Sequence, residues 1–154
     1  PDAYTTTVVR TVCKGAVKKN QTDKGTFTYK KGGTMSMVFS ETDKLLMEGK
    51  TYTLVSGKRS SVAKGETAML FGVMQKVVDN ILSGGNGKVQ KADTDAAVIT
   101  YNGNTITIEP AEGVKASRLL FKSFVITADL KQHKLLGIRM NGKGQNYTTY
   151  EFGK

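Results

Sequence analysis

The chain has 154 residues, with 23 Lys and Arg against 13 Asp and Glu, for a formal charge of +10. Apolar residues make up 38%, too many for a disordered chain and enough to build a core; residues 1–154 read as a single domain. No apolar run approaches the roughly 18 residues of a membrane-spanning helix, and Cys13 with His133, each the only one of its kind, is too little for a disulfide or a zinc site.

Short runs of Thr, Val, Ile, Tyr and Phe alternate with 17 Gly, which is strand and turn chemistry. Residues 5–18 read as a long strand. Neither of its faces is cleanly apolar, which places it near a sheet edge or under partial cover. Residues 20–24 read as a polar turn. Residues 25–39 read as a hairpin with a Lys31-Gly32-Gly33 loop, pairing Tyr29 with Met35 and Phe27 with Met37. A Gly49-Lys50 turn then pairs Met47 with Tyr52 and Leu45 with Leu54. Both hairpins collect their bulky side chains on one face.

Residues 65–85 differ. Leu70, Val73, Met74, Val77, Val78 and Ile81 recur at helical spacing, with Gln75, Lys76 and Asp79 assigned to the outer side and Gly84 at the C-terminal stop. Downstream, an Asn102-Gly103 turn pairs Ile99 with Ile106 and Ala97 with Ile108. A loop at residues 131–133 sets Phe124, Ile126 and Ala128 against Met140, Ile138 and Leu136. A last turn around residues 142–144 brings Tyr150 beside Leu136, with Phe152 next along. The expected fold is mainly β: a strongly curved antiparallel sheet, an open half-barrel, with a helix packed in its concave face. One helix of about 17 residues spans roughly 25 Å and covers only part of such a face.

Catalytic constellations are missing: the sequence has no GxSxG, HExxH, Walker loop or CxxC. His133 reads as a loop histidine between Lys131 and Lys134, and Cys13 as a small strand residue. The Ser83-Gly84-Gly85-Asn86-Gly87-Lys88 stretch follows a helix instead of preceding one, so it lacks the N-terminus that holds phosphate. Gly57-Lys58-Arg59-Ser60 holds too few basic residues for a patch. Phe27 and Tyr29 have Thr between them, not Lys, which reads as interior and argues against nucleic acid. The spread of lysines fits a transient contact with an anionic membrane surface better.

The methionines Met35, Met37, Met47, Met69, Met74 and Met140 fall on the expected concave face or the helix. Ordinary core packing accounts for such a pattern; so does an adaptable apolar pocket, because Met is flexible and polarisable. Acyl chains suit that pocket, each buried methylene contributing about 0.8 kcal/mol.

Taken in order, Gly25-Thr26-Phe27-Thr28-Tyr29-Lys30-Lys31, Met35-Ser36-Met37-Val38-Phe39, Leu45-Leu46-Met47-Glu48-Gly49-Lys50, the helix ending at Leu82-Ser83-Gly84, Leu135-Leu136-Gly137-Ile138-Arg139-Met140 and Thr148-Thr149-Tyr150-Glu151-Phe152 resemble the LolA/LolB-like periplasmic lipoprotein carriers, in particular their divergent Bacteroidetes-type branch. The resemblance implies a half-barrel plugged by helices, with lipoprotein acyl chains held between sheet and helix. It implies periplasmic localisation, no cofactor and no catalysed reaction, and handover from an inner-membrane transporter to an outer-membrane acceptor. The family's early amphipathic lid helix and its Trp are not seen here, and no lid-locking arginine is carried over. The expected lipid-binding residues are Phe27, Tyr29, Met35, Met37, Phe39, Leu45 and Met47 on the sheet and Leu70, Val73, Met74, Val77 and Ile81 on the helix. Two rival readings stand beside this one: an interaction or structural module with a filled core, and a basic module for anionic polymers.

Overall fold

Alternation of β-branched and aromatic residues with Thr, Ser and Lys sets each strand with one face for a core and one for water. The computed structural model describes residues 3–15, 19–88, 97–111, 122–142 and 144–153. Residues 16–18, 112–121 and 143, which include the expected ends of two strands and part of the last turn, lie outside that set. The described strands are β1 (Ala3–Lys14), β2 (Lys19–Lys30), β3 (Thr34–Ser40), β4 (Asp43–Glu48), β5 (Thr51–Ser56), β6 (Arg59–Val62), β7 (Ala97–Asn102), β8 (Thr105–Pro110), β9 (Ser123–Asp129), β10 (Lys134–Asn141) and β11 (Tyr147–Phe152), with one helix, α1 (Gly65–Leu82), between β6 and β7. They form one antiparallel sheet in the order β6-β5-β4-β3-β2-β1-β11-β10-β9-β8-β7, open at both edges.

The first two hairpins have the expected register, with Phe27 opposite Met37, Tyr29 opposite Met35, Leu45 opposite Leu54 and Met47 opposite Tyr52. Elsewhere the structure departs from the sequence reading. β1 lies at the centre of the sheet, paired with β2 on one side and β11 on the other. Residues 20–24 are strand, not turn, because they pair with the second half of β1. The β7–β8 turn sits one residue later, at Gly103-Asn104, so Ile99 faces Ile108 and Tyr101 faces Ile106. Gly103 takes the positive φ of 60° there, and Asn104 is left to accept from the Ala128 N–H at 2.9 Å through its carbonyl. A bulge between Leu135 and Gly137 sets Leu135, not Leu136, opposite Ala128 and turns Leu136 out to solvent. Tyr150 consequently pairs with Ile138.

Two contacts show how far the sheet curls. The Phe71 ring of α1 stacks 5.7 Å from Tyr52 on β5 and lies 5.5 Å from Phe124 on β9. In a flat sheet seven strand spacings, roughly 33 Å, would separate β5 from β9. At the other end of the concave face, Arg10 on β1 bonds both Asp23 on β2 and Asp43 on β4, reaching past β3. The sheet therefore wraps the helix from both wings. Buried positions on α1 include Leu70, Phe71, Val73, Met74, Val77, Val78, Ile81 and Leu82, leaving an outer stripe with Met69 and Lys76. That breadth of apolar surface is the signature of an enclosed helix.

Candidate functional site: the interface between helix and concave sheet

Alternate residues of each strand point to one face, so the hairpin registers bring Phe27, Tyr29, Met35, Met37, Leu45 and Met47 into one surface. The helix sets Leu70, Val73, Met74, Val77 and Ile81 against it. All eleven are buried, none more than 6% exposed. Phe39, also expected there, is on the same face but only half-buried. It lies toward the end where Arg10 sits, with the guanidinium 4.0 Å above its ring and Tyr150 at 6.3 Å. A register shift at the end of β3 accompanies this. Its ring lies against Gly25, where a Cβ would come 2.5 Å from the Val38 carbonyl and 2.6 Å from the ring edge. Met69 is on the helix but 51% exposed, so it belongs to the outer stripe and not to the shared face.

Helix and sheet pack directly against each other. The space bounded by Phe27, Met35, Ser36, Met37, Leu45, Met47, Met74, Val78 and Ile138 is about 10 Å³, about enough for one water molecule. A larger depression of about 210 Å³ lies on the convex side against Thr28, Lys30, Ser36, Leu46 and Glu48. An acyl chain therefore enters the concave face only if α1 moves away from it.

What ties α1 down is polar and was not expected. Gln75, assigned to the outer side, is buried. Its Nε2 donates to the carbonyls of Gly33 at 2.8 Å and Gly49 at 3.0 Å, and its Oε1 accepts from the Tyr52 hydroxyl at 2.9 Å. One side chain thus joins the tips of the β2–β3 and β4–β5 hairpins to the helix. Asp79, also assigned outward, accepts from the Tyr29 hydroxyl and from the Gly32 N–H at 3.0 Å. At the far side His133, at a positive φ of 54°, places Nδ1 2.9 Å from the Gly85 carbonyl just beyond the helix. At the N-cap of α1, Lys64 makes no side-chain capping bond.

Electrostatics concentrate at the opposite end. Arg10 forks onto Asp43 and bonds Asp23 at 2.9 Å, while its Nε has no hydrogen-bond partner among the described residues. The guanidinium holds the Asp43 carboxyl below its ordinary value. Burial pushes the Tyr150 hydroxyl up to about 12, against the opposing pull of Arg10, and burial also raises Tyr52.

The expected lining set leaves out Phe71, the residue that bridges the two wings, and the residues of the second wing, Ile106, Ile108, Phe124, Ile126, Ile138 and Met140, all buried. The signal was present, since Phe71, Met74, Val78 and Ile81 carry the same helical spacing. An apolar stripe too wide for one sheet wall calls for two.

No family model matches this sequence, and no curated protein matches it. Solved structures similar to the chain include a LolA superfamily protein from Nitrosomonas europaea, at 7% identity and a TM-score of 0.39, over 99% of this chain and 84% of that one. A DUF1329 family protein from Desulfovibrio piger is similar at 12% identity and a TM-score of 0.35, over 98% and 83%. A chain in the structure of the CwlD amidase from Clostridioides difficile in complex with the GerS lipoprotein is similar at 15% identity and a TM-score of 0.32, over 94% of this chain and 79% of that one.

Proposed function

We propose that the chain is a non-enzymatic, LolA-like carrier of the periplasm, of the Bacteroidetes-type branch its sequence resembles. It would take lipoprotein acyl chains from an inner-membrane transporter to an outer-membrane acceptor, holding them between the concave sheet and α1. The observation that supports this is the interface itself: Met35, Met37 and Met47 of β3 and β4 face Met74 of α1 around its remaining space. Four flexible thioethers repack around a foreign chain at low cost where branched side chains would not. Lifting the helix over them exposes its buried apolar face, and an acyl chain that takes up that contact offsets the cost. Each methylene that enters regains about 0.8 kcal/mol, and exchange follows relative affinity, with no reaction needed.

A second reading has its own observation. A space of about 10 Å³ is what a filled core leaves, and a filled core suits an interaction module. Displacement of a fluorescent fatty acid by a diacyl lipopeptide separates the two. The carrier reading expects saturable uptake by the wild-type chain, lost in Met37→Asp, with circular dichroism checking the variant's fold. A folded wild-type chain that takes up neither probe leaves the filled-core module.

A further inference from the structure

The alternation of strand directions puts the β2–β3, β4–β5, β7–β8 and β9–β10 turns at one end of the sheet. That is also the end where Gln75, Asp79 and the loop after α1 are held. Exposed lysines mark this end: Lys30 and Lys31 on the first tip, Lys50 on the second, Lys131 and Lys134 on the fourth, and Lys88 beyond the helix. The described carboxylates here are Glu48, Asp79 and Asp129. Asp79 is engaged by Tyr29 and Gly32, and Asp129 accepts from the N–H groups of Lys131 and Gln132.

We propose that this lysine rim docks the protein on an anionic lipid bilayer, so that the end of the concave face closed by α1 meets the headgroups. The charge is arranged for a surface and not for a shaped ligand. It comes as one or two lysines on each of several turns, each a flexible point charge, and none of the described arginines, Arg10, Arg59 and Arg139, belongs to these tips. Recognition of a particular phosphate or base favours Arg forks and stacked aromatics. A diffuse negative leaflet needs neither, and each lysine brought to it strengthens attachment roughly fivefold. The proposal specifies where the carrier proposed above would load, yet docking and acyl uptake are measured separately and can fail separately.

The test is co-sedimentation of the full chain with phosphatidylcholine vesicles, with and without roughly one-third phosphatidylglycerol. The wild-type chain should bind only the anionic vesicles and detach as salt rises. Lys31→Gln, Lys50→Gln, Lys131→Gln and Lys134→Gln together should weaken binding by more than about a hundredfold. The same four charges removed at the far end, at Lys14, Lys24, Lys58 and Lys122, should weaken it only a few-fold. Amide exchange of the wild-type chain on the vesicles supplies an arm free of mutation: protection should fall on residues 31–33, 49–50 and 131–134. Equal losses in the two variants, no binding by the wild-type chain, protection elsewhere, or displacement from the vesicles by a single-stranded oligonucleotide at equal phosphate would each overturn the proposal.

Discussion

Replacing Gln75 by Met isolates what holds α1 to the hairpins. The substitution keeps the unbranched shape of the side chain and removes its amide. Three hydrogen bonds are lost, to Gly33, Gly49 and Tyr52. Each is worth about 1 kcal/mol net. The Tyr52 hydroxyl is left without this partner deep in the interface, where it is 3% exposed, whereas the turn carbonyls can turn to water. Part of the loss is offset by the apolar gain of a methionine against Tyr52. The expected cost is about 2 kcal/mol, read from urea unfolding with the slope held constant, and about 4–8 °C in Tm. The same variant should take up an acyl probe faster than wild type, because the bonds removed are those that resist displacement of the helix. An unfolding midpoint within about 0.5 kcal/mol of wild type, or slower uptake, would refute the reasoning that these bonds fasten α1.

Three further outcomes follow from the end of the sheet around Arg10. Gly25→Ala should destabilise by about 1–3 kcal/mol in the same urea assay, since its Cβ meets the Val38 carbonyl and the Phe39 ring and backbone cannot step aside. Because Arg10 holds the Asp43 carboxyl below its ordinary 3.8, the stability it contributes is present above that value and is lost as pH falls through the lower folded value; Asp43→Asn should flatten the acid limb of a urea-midpoint series. The Tyr150 hydroxyl, raised to about 12 from 10.0, works at the other extreme. Its contribution is full below pH 10.0 and is lost as pH rises toward about 12, so Tyr150→Phe should soften alkaline unfolding followed by circular dichroism.

The elements that could be read from the sequence are those whose partners are close in the chain. The β2–β3 and β4–β5 registers follow from Gly33 and Gly49 at tight turns and from alternation on either side. Helix α1 follows from its period, and Gly84 marks its end with a φ of 106°. The departures have distant causes. Asn102-Gly103 is a favoured turn pair, but the turn shifts one residue and Asn104 meets the end of β9. Leu136 looks interior by alternation, and the bulge beside it breaks the count. The centre of the sheet is made by β1 meeting β11 from the far end of the chain, a pairing that local pattern does not encode. Gln75 was placed outside because it is polar, yet its partners are two backbone carbonyls and one phenol brought in by separate hairpins. Eleven of the twelve proposed lining positions meet in one cluster; Phe39 joins its margin, where Arg10 covers it.

An acyl chain held between the concave sheet and α1 requires the helix to lift from the sheet. Amide hydrogen exchange over residues 65–82 at saturating diacyl lipopeptide tests it directly. These amides should exchange faster when the lipopeptide is bound while the β2–β3 and β4–β5 pairs stay protected. A helix whose exchange is unchanged with the lipopeptide demonstrably bound would contradict it.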